Sequence, residues 1–221
     1  MQVEHAHFNR SPFVASDAGA RAVTVVLVDG IWGKGAIFRS LCARITARGY
    51  TCLVPELRPS NAVHGVADLA MKLKRYIDSH TSPDTQLAIV GFSMGSILAR
   101  YYLQVLGGFH RTRVFFALSG PHRGTWTAYG YFGLGARDLR PGSALLRLLD
   151  SSSAYLSDVA LHAYWTPFDL MILPAVSARW HDANNVRIWM PLHRFVPLSR
   201  RVQEDILHQL QRARSSNVPT M

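Results

Sequence analysis

The stretch Gln86-Leu-Ala-Ile-Val90 runs straight into Gly91-Phe92-Ser93-Met94-Gly95, and Ile97 to Leu106 then takes up helical spacing. A short continuous apolar run predicts a strand buried on both faces. A strand that becomes a helix within so few residues has to turn sharply, and Ser93 falls at the apex of that turn. The glycines on either side remove side chains that would collide there, and the serine is expected in a strained backbone conformation. G-x-S-x-G alone recurs by chance in many chains. The strand before it and the helix after it give it weight here, because a glycine-rich turn with an incidental serine would leave both as coincidence.

The same alternation continues along the chain. Ala22 to Val28 is a run rich in valine that ends at Asp29-Gly30, and Ala36 to Arg48 carries helical spacing closed by Gly49 as a C-cap. Further strands are predicted over 50–57, 113–118, 159–165 and 186–190, and further helices over 66–79 and 199–212. Strands alternating with helices imply a doubly wound, mainly parallel α/β sheet with helices on both faces, because parallel neighbours need crossover connections. A chain of 221 residues fits one such domain. The expected organisation is a loose arm over 1–20, a single domain over 21–214 without a separate lid domain, and a tail over 215–221. Pro121 to Asp150, rich in glycine and aromatic residues, reads as an ordered excursion over the site, the alternative being an ordinary long loop.

A serine hydroxyl is a weak nucleophile at neutral pH, so a base must take its proton and a carboxylate must orient that base. On strand-turn-helix serines the order along the chain is serine, acid, histidine. His193 follows the last predicted strand, at the C-terminal edge where open α/β sheets bind ligands. His208 lies within the closing helix, and His181 sits before the last strand. His122 is the rival, but it precedes the best acid and reads as a structural hydrogen-bonding histidine. That acid is Asp169, which follows the 159–165 strand, whereas Asp158 precedes it and Asp182 lies in a crossover. Two N–H donors are needed for the oxyanion. Met94, directly after the serine, supplies one, and the Asp29–Gly33 loop supplies the other, most naturally at Ile31. Trp32, Trp126 and Tyr129 are the candidate substrate contacts.

Lys and Arg number 24 against 14 Asp and Glu, a formal net charge of +10. The basic residues are scattered, the longest run being Arg200-Arg201, so a solvated arginine-rich surface is favoured over nucleic-acid binding; weak attraction to anionic lipid surfaces stays open. Cys42 and Cys52 are expected as free thiols. No metal or cofactor pattern stands out; His5 and His7 read as a coincidence in the arm. The opening residues have no secretory signal pattern and no apolar run is long enough to span a bilayer, so the expectation is a cytoplasmic monomer.

With these residues in place the chain resembles the small lid-less bacterial lipases and the related lipase class 2 families of α/β-hydrolases. VVLVDGIWG resembles their oxyanion loop, IVGFSMGS their nucleophile elbow, YWTPFDLMILP the segment with their acid, and NVRIWMPLHRFVPLSRRVQEDIL their histidine loop and final helix. The resemblance covers about Val23 to Leu210. It implies a Ser93–His193–Asp169 triad, an Ile31 and Met94 oxyanion hole, and hydrolysis of small-molecule or lipid esters without a cofactor. A thioesterase or acyltransferase would use the same machinery. Asp29 stands where the family usually has a histidine. That substitution and the unusual basicity motivate a third possibility, a catalytically silent binding protein; in an active enzyme Asp29 is expected to accept hydrogen bonds that stiffen the Gly30–Gly33 loop. The absent secretory signal and the longer 119–149 stretch are further departures.

Overall fold

The β-branched and aliphatic runs build the sheet of the computed structural model, which describes residues 23–215. The strands are β1 (Val23–Val28), β2 (Thr51–Leu53), β3 (Gln86–Phe92), β4 (Thr112–Leu118), β5 (Ala160–Trp165) and β6 (Asn184–Arg187). They form one sheet in the order β2-β1-β3-β4-β5-β6, every pair parallel. The helices are α1 (Arg39–Thr46), α2 (Val66–His80), α3 (Met94–Gln104), α4 (Leu134–Asp138), α5 (Ala144–Ser151) and α6 (Arg200–Ser215).

Successive side chains of a strand point to opposite faces, and β1 shows the result. Val26 and Val28 pack with α2, α3 and α5, while Val25 and Leu27 pack with α1 and α6. The apolar stripe Leu69, Leu73 and Ile77 turns α2 toward the first face, and Val202, Ile206 and Leu210 turn α6 toward the second. Each buried aliphatic side chain contributes about 1.5–3 kcal/mol. This is the doubly wound architecture expected from the sequence. The expected arm and residues 216–221 of the expected tail lie outside the described residues.

Three elements depart most from expectation. β2 is three residues long instead of eight, because it pairs only with β1 through Val26 and Pro55 has no N–H to extend the ladder. β6 stops at Arg187 because its only neighbour, β5, stops at Trp165; one further bond joins Ile188 N–H to Trp165 O at 2.9 Å. The helix expected from Ile97 begins at Met94, directly after Ser93, and ends at Gln104. Residues 121–150 are no structureless loop. They contain a 3-10 turn over Trp126–Gly130, α4, and α5, whose Leu145, Leu146 and Leu149 complete the core. Cys42 and Cys52 are free thiols.

Strand order reverses between β1 and β3: from β1 the chain goes outward to β2, then crosses back to β3 and proceeds the other way. Ligands of open α/β sheets bind at this switch point, outside the carboxyl ends of the strands. The register aligns those ends, pairing Val28 with Gly91, Leu118 with Phe92 and Tyr164 with Leu118. Asp29, Ser93, Ser119 and Thr166 therefore all emerge along one edge.

Candidate active site

Ser93 leaves β3 with φ 54° and ψ −126°, a conformation that L side chains rarely adopt. Its N–H donates to Leu118 O at 2.8 Å, which anchors the turn to β4. Both flanking glycines are sterically required. A Cβ at Gly91 would lie 2.6 Å from Ser96 Cα, and one at Gly95 would lie 2.2 Å from Val28 O. The strained serine between two obligatory glycines matches the expectation from the sequence.

His193 begins a 3-10 turn after β6 and is buried. Its Nδ1 lies 2.7 Å from Asp169 Oδ2. The other carboxylate oxygen, Oδ1, accepts the Met171 and Ile172 amides, each at 2.9 Å. With Nδ1–H donating to the carboxylate, the neutral ring presents Nε2 as the acceptor. The ring lies against Phe92, centroids 4.8 Å apart, beside the turn that carries Ser93. The structure joins Asp169 to His193 but closes no hydrogen bond between His193 and Ser93 Oγ; such bonds are often long before substrate binds.

The loop after β1 explains Asp29. Its Oδ1 accepts from Gly30 N–H at 2.7 Å and its Oδ2 from Gly35 N–H at 2.8 Å. A Cβ at Gly33 would overlap this carboxylate, 2.2 Å from Cγ. The Trp32 amide donates to Ser60 O at 2.9 Å and the Gly33 amide to Gly30 O at 3.0 Å. Of the amides from Gly30 to Gly33, that of Ile31 alone has no acceptor among the described residues. Met94 opens α3, so its N–H is one of those with no acceptor inside the helix. The Ile31 and Met94 amides are thus both available at the switch point.

A cleft beside Ser93 is lined by Ile31, Met94, Thr125, Tyr131, Met171 and Ile172, among others. Trp32, Trp126 and Tyr129 are instead outside it, on the rim, with 55%, 66% and 56% of their surface exposed. Sequence reasoning missed two groups that shape this region. Thr125 Oγ1 accepts from Leu173 N–H at 2.8 Å and donates to Met171 O at 3.0 Å, joining the segment after β4 to the acid loop. Thr166 Oγ1 donates to Met190 O at 2.7 Å, tying the acid loop to the histidine loop. Both are contacts between distant segments, with no local signal in the sequence.

His122 is placed differently from His193. It is fully buried, stacked on Trp180 with centroids 4.7 Å apart, and its Nδ1 faces Arg100 Nη1 at 3.5 Å. Burial, then the Arg100 charge, then His181 hold it well below the usual histidine range. Its Nε2 has no hydrogen-bond partner among the described residues. It stays a neutral packing group, without a carboxylate to orient it as a base. Among the described residues no group of His, Cys, Asp and Glu could hold a metal ion, and no helix is long and apolar enough to cross a membrane.

No protein-family model matches the chain, and no curated protein matches it by sequence. Solved structures do. The mature form of the Bacillus licheniformis lipase BlEst2 superposes with a TM-score of 0.68 at 16% identity, over 90% of this chain and 95% of that one. The lin2722 product of Listeria innocua gives 0.64 at 12% identity, over 86% and 94%. A pyrethroid hydrolase from Sphingobium faniae JZ-2 gives 0.57 at 14% identity, over 86% and 98%. Sheet order, helix placement and these neighbours agree: the chain has the α/β-hydrolase fold.

Proposed function

We propose that the protein is a serine hydrolase that cleaves carboxylic esters, with Ser93 as nucleophile, His193 as base and Asp169 as orienting acid. The observation that carries this reading is the buried His193–Asp169 pair at 2.7 Å on the same strand edge as the strained Ser93. His193 Nε2 takes the Ser93 proton as Oγ bonds to the ester carbonyl carbon, and the carbonyl electron pair moves onto oxygen. The Ile31 and Met94 amides stabilise that oxyanion. As the intermediate collapses the carbon–alkoxide bond breaks, and His193 gives its proton to the departing alcohol. Water, deprotonated by the same nitrogen, then attacks the acyl-enzyme and releases the acid and Ser93.

The apolar character of the cleft around Ile31, Ala128, Met171 and Ile172 favours an ester with an apolar acyl or alcohol group. Asp29 was one of two features, with the strong basicity, that favoured a silent binding protein. With its carboxylate occupied by the Gly30 and Gly35 amides, the part of that argument resting on Asp29 loses its basis. The test is to treat the purified protein with a fluorophosphonate probe and to assay short-chain p-nitrophenyl esters. The expected result is stoichiometric labelling at Ser93 and turnover that Ser93→Ala abolishes. An unlabelled Ser93 in a folded protein that still hydrolyses esters overturns the assignment.

A further inference from the structure

Large apolar side chains are exposed all along the edge that carries Ser93. Phe132 is 99% exposed, Trp126 and Leu170 66%, Trp189 62%, Tyr129 56% and Trp32 55%. They sit on the loops after β1, β4, β5 and β6, and those loops touch in sequence. Trp32 meets Tyr131 edge-on at 5.3 Å, Trp126 N–H donates to Leu173 O at 2.8 Å, and Phe168 meets Trp189 at 5.6 Å. The result is a connected apolar rim around the cleft, far more than scattered surface residues require.

Arginine is threaded through this rim. Arg140 lies over the Tyr129 ring at 4.7 Å and Arg187 over the Trp189 ring at 4.9 Å, while Arg137 is exposed at the end of α4. The carboxylates of the loops at this edge are all engaged. Glu56 pairs with Arg58, Asp138 accepts from Val66 N–H at 2.8 Å, Asp29 holds its own loop and Asp169 holds His193. Exposed carboxylates without a partner among the described residues, Asp84 and Asp158, lie at the opposite end of the strands. A face of exposed aromatic rings and arginines with no free carboxylate among the described residues is complementary to one kind of surface. Its apolar side chains match the acyl region, and its cations match negative headgroups.

We infer that this edge docks the protein on lipid surfaces carrying anionic headgroups. Docking sets the mouth of the cleft against the lipid, so an ester in that lipid reaches Ser93 without crossing bulk water; this last consequence rests on the serine-hydrolase reading.

The experiment uses the full chain carrying Ser93→Ala, so that no lipid is consumed, sedimented with vesicles of phosphatidylcholine alone or mixed with phosphatidylglycerol. The expected result is binding to the mixed vesicles that weakens with added salt, and much weaker binding to phosphatidylcholine. Phe132→Ser with Leu170→Ser should cut binding at least ~10-fold, and Arg137→Gln with Arg187→Gln ~5-fold per charge removed. Arg48→Gln with Arg113→Gln, the same charge change at the other end of the strands, should bind like the parent. Failure to bind either vesicle, or equal binding to both, overturns the inference. Equal losses from the two arginine pairs also overturn it, since attraction would then belong to overall charge. Turnover of a short-chain soluble ester by the protein with Ser93 intact, with and without the rim changes, reports the chemistry separately. Binding without turnover sinks the hydrolase reading alone, and turnover without binding sinks the docking alone.

Discussion

The two ends of the sheet's strands are built by different rules. At the carboxyl ends the connections are long, and they hold every non-glycine residue with positive φ among the described residues: Trp32, Ala62, Ser93 and Ser119. At the amino ends the turns are short, and the left-handed positions there belong to glycine, Gly49 with φ 78° and Gly107 with φ 77°. Glycine adopts that conformation without penalty, whereas other residues cost of order 1–3 kcal/mol each. One end of the molecule is made for stability. The other carries strain, exposed aromatic rings and the candidate catalytic groups together.

The sharpest way to break this comparison is at Ser93. Ser93→Ala should lower turnover on p-nitrophenyl esters by about 10⁴–10⁶-fold while leaving the melting temperature nearly unchanged. Ser93→Gly should be equally inactive yet melt no lower than the parent, because it relieves the positive φ. A clear drop in melting temperature for the glycine variant would mean that Ser93 stores no strain. The next effect belongs to the other end. Trp180, buried just before β6, donates its indole N–H to Asp182 at 3.1 Å and supports His122. Trp180→Ala should cost about 3–5 kcal/mol in denaturant unfolding, with unchanged turnover per folded molecule.

Asp29→Ala comes third. Losing both loop bonds should free the Ile31 amide and lower kcat by up to ~100-fold, less than loss of an oxyanion donor at its worst. Asn keeps one acceptor but turns a donor toward the second amide, so Asp29→Asn should fall between Ala and the parent. Turnover by Asp29→Ala equal to the parent's would deny the loop its role. The smallest effect is a pH dependence of stability. Burial keeps the folded-state pKa of His122 below its unfolded value, so the unfolded chain binds the extra proton first. Its contribution is fully present above pH ~6.5 and is lost as pH falls below that, with a slope of at most ~1.4 kcal/mol per pH unit. His122→Phe keeps the stack on Trp180 and should flatten that part of the profile; an identical profile would show that His122 does not set it.

What the sequence revealed follows from the range of the forces involved. The strands, the sharp strand-to-helix turn at Ser93 and the order of the α/β elements depend on local periodicity and glycine placement, and they were legible. The pairing of Asp169 with His193 was legible because each follows a strand end, and parallel strands bring such ends to one edge. The ends of β2 and β6 were not, since they depend on where a neighbouring strand stops. Nor were the Thr125 and Thr166 clamps, or the position of Trp32, Trp126 and Tyr129 on the rim of the cleft. These depend on how segments tens of residues apart meet in space, and no nearby residue records that. Asp29 lay between the two cases: its hydrogen bonding to the loop was expected, but the use of both oxygens was not.

The contact at Gly95 has a consequence of a different kind. With no side chain there, the first turn of α3 rests on the carbonyl groups of Val28 and Asp29. The spacing between the Met94 and Ile31 amides is thus gauged by main chain against main chain, with no side chain serving as a shim. Core side chains can be exchanged for others of similar volume, and the helices can drift by fractions of an ångström, without resetting that gauge. On the proposed serine-hydrolase reading, the part of the molecule that must be most accurate is therefore the part least coupled to the identity of its neighbours, which leaves the surrounding sequence wide freedom to diverge.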